Sequence, residues 1–326
     1  MRTRLTERLG IEHPVMLAGM GGVAYSSLAA AVSEAGGIGC LGAATMIIQG
    51  QMEAEMARVR ELTDKPFGVD LLTAMPGDLL GQVQQVIDGG ASMFVAGLGV
   101  PAEVVSLCND NEVVVVNMCG RVSHAVKAVE AGCDIVVAQG TEAGGHTGKV
   151  ATMPLVPQIV DAVGSEVPVV AAGGIVDGRG LVAALALGAD GVWMGTRFIA
   201  TPEARAVPGY KDALLVAAED GTTISRAYSG KTMRVVRNDY TDWWDKHPEE
   251  LLKFPEQMGR SLKDGALHLG AGDDTGDVDP KRECYPAGQG VGIIDELVPA
   301  GDLVRSIVTE AEEVLERLGA FRGATV

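Results

Sequence analysis

One histidine lies in a glycine-rich stretch that directly follows an apolar run of the sequence. The stretch reads AQGTEAGGHTG (138–148) and places His146 after the pair Gly144 and Gly145. Glycines let a flat ligand approach the backbone, and a neutral imidazole, with a pKa of about 6.5, can accept a proton from a carbon acid. The same pattern also occurs in ordinary exposed turns. The stretch therefore indicates either a catalytic site or a plain loop.

Two further glycine turns have the composition of a phosphate-binding site. The segments AAGGIVDGRG and MGTRF follow what we predict to be the seventh and eighth strands of the chain. Gly173 and Gly174 can direct backbone N–H groups at phosphate oxygens, and Gly195 and Thr196 add another N–H and a hydroxyl. Paired glycines also simply turn loops, but two such turns at adjacent strand ends favour phosphate. A single phosphate site suits FMN.

Eight short apolar runs alternate with helical patterns along the first two-thirds of the chain. This alternation predicts parallel βα units that close into a (β/α)8 TIM barrel. The alternative is a doubly wound sheet, because GMGGVA (19–24) matches a dinucleotide fingerprint. That fingerprint needs an acidic residue after the second strand, and the sequence there reads LGAATM. The predicted strands are 15–20, 38–43, 67–72, 93–99, 113–119, 135–140, 167–174 and 191–198.

The pattern changes after residue 205. Residues 205–284 are richer in charged and aromatic side chains, and we predict that they form a mostly helical cap inserted after the eighth strand. Residues 1–204 and 285–326 then make up the FMN-binding barrel, which an amphipathic terminal helix with apolar Leu303, Ile307, Val314 and Leu318 closes. A separate C-terminal domain is the alternative.

Composition limits the classes of partner. The net charge of −17 disfavours nucleic acid and anionic membrane surfaces. Five scattered cysteines have no C-x-x-C spacing, so we expect free thiols and neither disulfides nor a metal site. The first residues carry no apolar signal core, and no long uncharged apolar stretch occurs, so we expect a cytoplasmic protein. We expect surface or packing roles for the other histidines, which are His13, His124, His247 and His268.

The chain resembles the nitronate monooxygenases, formerly called 2-nitropropane dioxygenases. These are FMN-dependent barrels related to NADH:quinone reductases and to flavin enoyl-acyl-carrier-protein reductases. The resemblance covers most of the chain and rests on the blocks IEHPVMLAGM, AQGTEAGGHTG, VPVVAAGGIVDGRGLVAALALGADGVWMGTRFIAT, SGKTMRVVRN and YPAGQGVGIIDE.

The resemblance implies which residues hold the cofactor and which one acts on the substrate. His146 corresponds to the catalytic histidine. Asp70 stands where many relatives carry Asn, and a carboxylate there donates a hydrogen bond to flavin only when it is protonated. Met118 stands where some relatives have a Lys near the flavin. The implied cofactor-binding residues are Ala18, Gly19, Met20, Asp70, Gln139, Gly144, Ala172, Gly173, Gly174, Gly195, Thr196 and Gln289.

The implied activity is oxidation of an alkyl nitronate by dioxygen to a carbonyl compound and nitrite. His146 would take the α-proton of a neutral nitroalkane or hydrogen-bond the nitronate, in a pocket suited to small apolar substrates. Rival functions are an NADH:quinone reductase and an enoyl-thioester reductase, which needs basic residues near the mouth such as Arg234 and Arg237. A flavin-binding sensory module that is not an enzyme is a third alternative. Use of NAD(P)H and a homodimeric state stay open.

Overall fold

The chain folds around a barrel of eight parallel strands. A computed structural model describes residues 1–73, 77–97, 99–268 and 278–321. The barrel strands follow one another in chain order, and a parallel bridge between Met16 and Ile38 joins the first strand to the second and closes the ring. The predicted (β/α)8 TIM barrel is confirmed, and each of the eight predicted runs contributes one strand.

The bounds of the described elements are as follows. The strands are β1 (Val15–Leu17), β2 (Gly39–Gly42), β3 (Phe67–Leu71), β4 (Met93–Ala96), β5 (Val114–Cys119), β6 (Ile135–Gln139), β7 (Gly145–His146), β8 (Val169–Ala172), β9 (Gly191–Met194), β10 (Thr222–Ser225) and β11 (Met233–Val236). The helices are α1 (Arg4–Leu9), α2 (Ser26–Glu34), α3 (Ala43–Gln49), α4 (Met52–Leu62), α5 (Leu79–Asp88), α6 (Ala102–Asp110), α7 (Val122–Glu130), α8 (Thr152–Val163), α9 (Gly178–Ala186), α10 (Thr196–Ile199), α11 (Pro208–Val216), α12 (Asp239–Lys246), α13 (Glu256–Lys263) and α14 (Ala300–Ala320).

Alternation along the strands divides the buried side chains into two clusters. Val15 and Leu17 face the surrounding helices, whereas Met16 between them faces the barrel interior. Successive side chains of a strand point to opposite faces, so short runs that are apolar throughout fill both layers. The interior cluster also contains Leu5 and Leu9, which places α1 across the amino-terminal end of the barrel. Only the carboxyl end is left for a ligand.

The terminal helix returns to the barrel, as predicted. It packs against α9 and α2, and Leu303, Ile307 and Val314 are buried there. Leu318 was expected on the same apolar face but is 46% exposed, and it lies at the end of α14, where residues 315–320 are all exposed. None of the described helices is long and apolar enough to cross a bilayer.

The segment after residue 205 contains strands as well as helices. Besides α11, α12 and α13 it forms the antiparallel hairpin of β10 and β11, which the sequence did not predict. Strand β11 pairs with β7, so this small sheet is joined to the loop that follows β6. A separate apolar cluster around Tyr228, Tyr240 and Trp244 packs within the segment. The limits of the cap at 205 and 284 stay a prediction.

Candidate active site

A cavity of about 480 Å³ opens at the carboxyl ends of the barrel strands. That volume is within the range of ordinary cofactor and ligand sites. The five cysteines are buried free thiols, so none of them forms a disulfide near this cavity. The predicted site residues that line the cavity are Ala18, Gly19, Met20, Asp70, Gln139, Gly144, His146, Ala172, Gly173, Gly174, Gly195 and Thr196.

Gln289 is the predicted contact that the structure places elsewhere. Its side chain is exposed and does not line the cavity, whereas the flanking Gly288 and Gly290 do. Its backbone N–H donates to the carbonyl of Glu142 at 2.9 Å. The returning segment therefore reaches the site, but it presents backbone there and turns this amide side chain away.

One end of the cavity carries a group of unused backbone donors. Strands β8 and β9 are paired in register, so the turns that follow them lie side by side. Within the described part of the chain, the N–H groups of Gly173, Gly174, Gly195 and Thr196 have no acceptor. Gly174 has φ +75°, a backbone conformation that L side chains rarely adopt. Four free donors on one wall fit the oxygens of a phosphate.

The returning segment is fastened to this wall. The Gly288 N–H donates to the Thr196 hydroxyl at 2.9 Å. A Cβ atom at Gly144 would lie 2.8 Å from the carbonyl carbon of Ala287. Gly144 is therefore required by the close approach of residues 285–290 as well as by any ligand, which refines the sequence interpretation of this glycine.

His146 is held by the small sheet rather than by a free loop. Its strand β7 pairs with β11, Met233 lying opposite His146. The ring atom Nε2 lies 3.0 Å from the hydroxyl of Ser229, which is buried and 83 residues away in the chain. When Nε2 carries the proton and donates it to Ser229, Nδ1 presents a lone pair and has no partner among the described residues. The interpretation of a plain exposed loop does not fit this arrangement.

The surroundings of His146 favour its neutral form. The ring lines the cavity and solvent reaches it, yet the protein around it excludes enough water to lower its pKa below 6.5. The positive charge of Lys231 lowers this pKa further. Both effects disfavour the imidazolium ion. His146 is therefore an unprotonated base at neutral pH.

Gln139 binds the histidine strand as well as lining the cavity. Its side-chain Nε2 donates to the carbonyl of His146 at 2.9 Å. Gln139 is the last residue of β6, so this bond ties the end of a barrel strand to β7. The geometry gives Gln139 a positioning role that the sequence did not indicate.

Asp70 lies on the cavity wall at the end of β3. Burial raises the pKa of this carboxyl well above 3.8. A protonated carboxyl group has an O–H that can donate. Asp70 can therefore supply the hydrogen bond that an Asn would give at this position. Met118 also lines the cavity, so this part of the wall is uncharged.

A second cavity, of about 650 Å³, meets the first at the histidine. Leu72, Gly97, Met118, Gln139 and His146 belong to the walls of both. One cavity therefore presents the phosphate-type donors, and the other leads from His146 toward α7. A ligand in the first cavity and a ligand in the second would therefore meet beside the imidazole of His146.

Several residues at the site escaped the sequence interpretation. Ser229 and Lys231 lie within the block SGKTMRVVRN, whose resemblance to relatives was the signal that could have pointed to them. His268, expected to be a surface or packing residue, lines the first cavity, and its Nδ1 lies 2.6 Å from a carboxylate oxygen of buried Glu283. His124, expected likewise, lines the second cavity.

The two arginines that were considered for a basic mouth are engaged elsewhere. Arg234 is buried and donates to the carbonyl of Thr141 and the hydroxyl of Thr222. Arg237 pairs with Asp242 at 3.4 Å. Neither lines either of the two cavities: alternation along β11 turns Arg234 to the face opposite Met233, which lines the first cavity, and Arg237 lies beyond the end of the strand.

Comparison with known proteins gives the chain its family. The model of the family described as nitronate monooxygenase matches residues 2–80 and 76–310. A curated relative from Rhodococcus jostii, named (3aS,4S,5R,7aS)-5-hydroxy-7a-methyl-1-oxo-octahydro-1H-indene-4-carboxyl-CoA dehydrogenase, is 36% identical, and the match covers 99% of both chains.

Two solved structures are similar over nearly the whole chain. FabK from Thermotoga maritima is 35% identical, with a TM-score of 0.89 over 98% of this chain and 99% of its own. A nitroalkane oxidase from Streptomyces ansochromogenes is 30% identical, with a TM-score of 0.82 over 97% of this chain and 100% of its own. These relatives are oxidoreductases with the same barrel, which agrees with the donor-lined cavity and the placed histidine. The chain is an enzyme of the nitronate monooxygenase family.

Proposed function

We propose that the protein is an FMN-dependent nitronate monooxygenase, which oxidises alkyl nitronates with dioxygen to carbonyl compounds and nitrite. The observation that carries the proposal is the neutral imidazole of His146 at the meeting point of two cavities, one of which ends in four free backbone donors. The nitronate monooxygenase family and the nitroalkane oxidase neighbour support the same reaction class.

The first cavity fits a flavin with one phosphate. Gly173, Gly174, Gly195 and Thr196 would hold the phosphate, and Ala18, Gly19 and Met20 would lie against the ring. The protonated Asp70 would donate a hydrogen bond to a ring acceptor. The dinucleotide fingerprint is incomplete, as noted above, so FMN suits the site better than FAD. The flavin, when bound, supplies the electron transfer between substrate and dioxygen.

The chain's own groups would hold the substrate and move its proton. Nδ1 of His146 accepts the α-proton of a neutral nitroalkane, or donates to the nitronate oxygens once it is protonated. Ser229 and Gln139 keep the ring and its strand in place. Leu72 and Met118 give the wall beside the imidazole an apolar surface, which excludes water and suits a small alkyl group.

Oxidation or reduction of an acyl-CoA thioester is the second candidate. The Rhodococcus relative is named for such a substrate. The second cavity favours this candidate, because it is larger than a small nitronate needs and begins at His146.

Anaerobic mixing of the purified yellow protein distinguishes the candidates. We expect propyl nitronate alone to bleach the flavin. Rapid bleaching by NADH alone would contradict the monooxygenase and favour the reductases. Bleaching by an acyl-CoA and not by the nitronate would favour the second candidate.

The variant His146→Asn tests the base. We expect it to keep FMN and to lose about 10²–10⁴-fold in activity on a neutral nitroalkane, the usual contribution of a positioned base. Preformed nitronate has already lost its α-proton, so the activity of the variant on this substrate should fall much less. Equal losses on both substrates would show that His146 binds the anion without transferring a proton.

A further inference from the structure

A second imidazole faces the first cavity, from the segment that follows residue 205. His268 comes shortly after α13, and both His268 and Glu283 line this cavity. The side chain of His268 is 29% exposed and that of Glu283 is 7% exposed, so solvent reaches the imidazole but hardly reaches the carboxylate. Neither side chain takes part in the contacts of His146, and the proposed function has not used them.

Two hydrogen bonds fix the His268 ring against the carboxylate. Nδ1 of His268 lies 2.6 Å from one carboxylate oxygen of Glu283, and the backbone N–H of His268 donates to the other oxygen at 3.0 Å. A carboxylate at Nδ1 keeps a proton on that nitrogen and leaves Nε2 for another partner. Nε2 has no hydrogen-bond partner among the residues that the structure describes. One nitrogen of a cavity-lining imidazole is therefore available to a ligand.

The carboxylate is itself held by the backbone around it. The carbonyl of Glu283 accepts from Nδ2 of Asn238 at 2.9 Å, and its N–H donates to the carbonyl of Asp279 at 2.9 Å. The next residue, Cys284, donates its N–H to the carbonyl of Ala266 at 3.0 Å, which fastens the two segments of the pair together. Glu283 therefore determines the direction of the ring.

The charge of the pair favours an anionic ligand. A buried carboxylate is costly unless an opposite charge compensates it, and within the described ranges His268 is the one ion-pair partner of Glu283. A proton on Nε2 makes the pair neutral overall, and a carboxylate at Nδ1 stabilises the imidazolium that forms. The imidazolium then donates Nε2–H, and such a charge-assisted hydrogen bond to an anion is stronger than a neutral one.

The packing brings this pair to the same part of the cavity as His146. Met233 lies opposite His146 in the pairing of β7 with β11, and it lines the first cavity. Met233 belongs to the same buried apolar cluster as Ala266 and Cys284, which flank the pair in the chain. The imidazoles of His146 and His268 therefore face one space from neighbouring elements.

We propose that His268 is a second substrate-binding residue, whose Nε2–H donates to an oxygen of a small organic anion while His146 acts at the carbon of that anion. Glu283 is the positioning residue, which holds the ring and compensates its charge. The assignment of this anion as a nitronate rests on the proposed function, whereas the anion site itself rests on the geometry of the pair.

Binding of 2-methylpropanoate to the flavin-loaded protein tests the site without turnover. This carboxylate has the same arrangement of heavy atoms and the same charge as propane-2-nitronate. Its amide, 2-methylpropanamide, is the matched uncharged ligand. Titration calorimetry with each ligand is carried out on the wild type and on the variants His268→Asn, Glu283→Gln and His247→Asn. Flavin absorbance and circular dichroism verify that each variant is folded and holds FMN.

Each variant removes one feature of the pair. An asparagine amide at position 268 keeps a donor near the place of Nδ1, so His268→Asn removes Nε2 and retains a hydrogen bond to the carboxylate. Glu283→Gln removes the negative charge at nearly constant size. His247 is the matched control, because it stacks on the Trp243 ring at 4.1 Å and lines neither cavity.

We expect 2-methylpropanoate to bind the wild type and His247→Asn equally, and to bind His268→Asn at least about tenfold more weakly, since a charge-assisted hydrogen bond is lost. Glu283→Gln should also weaken the binding of this anion. The amide should bind all four proteins about equally. Equal losses for the anion and the amide would show a merely structural role, and they would overturn the proposal. So would unchanged anion binding or loss of FMN in His268→Asn, or no anion binding to the wild type at about 10 mM.

Arg205 supplies a competing anion contact that a further variant separates. Among the described residues it is the one lysine or arginine that lines the first cavity, and its guanidinium lies over the Tyr25 ring at 4.5 Å. Loss of anion binding in Arg205→Met together with full binding in His268→Asn would overturn the proposal. Because the titrations measure binding and flavin bleaching measures oxidation, failure of the anion site and failure of the monooxygenase function are distinguishable.

Discussion

A hydroxyl group and an ammonium group act on the imidazole of His146, and each determines a different property. Ser229 orients the ring through Nε2 and leaves Nδ1 for the substrate. Lys231 acts through its charge and lowers the pKa of His146. Asp70, which also lines the first cavity, shows the opposite shift, since burial raises the pKa of that carboxyl and favours its protonated form. The surroundings therefore favour the neutral form of both groups, which leaves His146 able to accept a proton and Asp70 able to donate a hydrogen bond.

Replacement of Lys231 by methionine should change the pH dependence of activity. The pKa of His146 is lowered, so its base form is present above that pKa and is lost as the pH falls through it. Lys231→Met removes one of the two causes, so the pKa should rise and the acidic limb of the kcat/KM profile on nitroalkane should move to higher pH. Lys149→Met serves as the control, because Lys149 is exposed, lines neither cavity and does not affect the pKa of His146. A limb that stays in place would show that burial alone determines this pKa.

Asp70 should make stability depend on pH in a way that an amide does not. Its pKa is raised in the folded state, so its contribution to stability is fully present below about 3.8 and is lost as the pH rises toward the folded-state pKa. Relative to wild type, Asp70→Asn should gain about 1.4 kcal/mol in unfolding free energy for each pH unit in this window. Urea unfolding of both proteins at pH 5 and pH 7 measures this difference in unfolding free energy. An equal difference at both pH values would contradict a protonated Asp70.

Elements of two kinds build the site. The barrel strands β8 and β9 end in turns whose N–H groups are free, and the three-stranded sheet of β10, β11 and β7 holds the histidine. The hydrogen bond from Gln139 joins the two systems. Displacement of either element would move the His146 imidazole relative to the free N–H donors that follow β8 and β9.

A valine at Gly174 should remove the cofactor. The position has φ +75°, and a Cβ there would lie 3.3 Å from the Cβ of Glu142, so Gly174→Val is strained by about 1–3 kcal/mol and projects a branched side chain beside the free donors. We expect a folded protein without FMN. Gly10→Val is the control, because Gly10 has φ +67°, open space around it and a place at the far end of the barrel. Full flavin occupancy in Gly174→Val would mean that the phosphate is held elsewhere.

At the scale of the whole molecule, the ligand space is enclosed by parts that are distant in sequence. The first cavity is lined by Met20 from the first βα turn, by Tyr210 from α11 and by Tyr285 from the returning segment. The rings of Tyr210 and Tyr285 stack at 4.6 Å. Cofactor binding should therefore stabilise the folded chain as a unit.

A comparison of flavins tests whether the phosphate contributes that stability. FMN at about 100 times its Kd should add about 2.7 kcal/mol and raise the melting temperature of the apoprotein by roughly 4 °C. Riboflavin has the same ring without phosphate, so at the same concentration it should raise the temperature much less. Equal shifts from the two would argue against the wall of Gly173, Gly174, Gly195 and Thr196 as the phosphate site.

Local patterns in the sequence were sufficient for the barrel and for much of the site. Each barrel strand is predicted by a short apolar run, and recognising such a run requires only residues that are adjacent in the sequence. Parallel strands in a closed barrel end on one rim, so Gly173, Gly195 and His146 could be assigned to one site once eight strands were counted. The terminal helix was predictable for the same reason, from its own apolar spacing.

Only the tertiary structure decided what surrounds His146. Its contact with Ser229 joins residues 83 positions apart, and no periodicity within a window of a few turns reports such a contact. The hairpin of β10 and β11 is short, and it forms because β7 offers an edge to pair with. The second cavity was missed because Lys231 and Phe254 are distant in sequence from Arg121 and Lys127, and only the folded chain brings them to the same walls. The role of a charged side chain or of a strand edge depends on the residues that face it. Those residues come together only when the whole chain has folded.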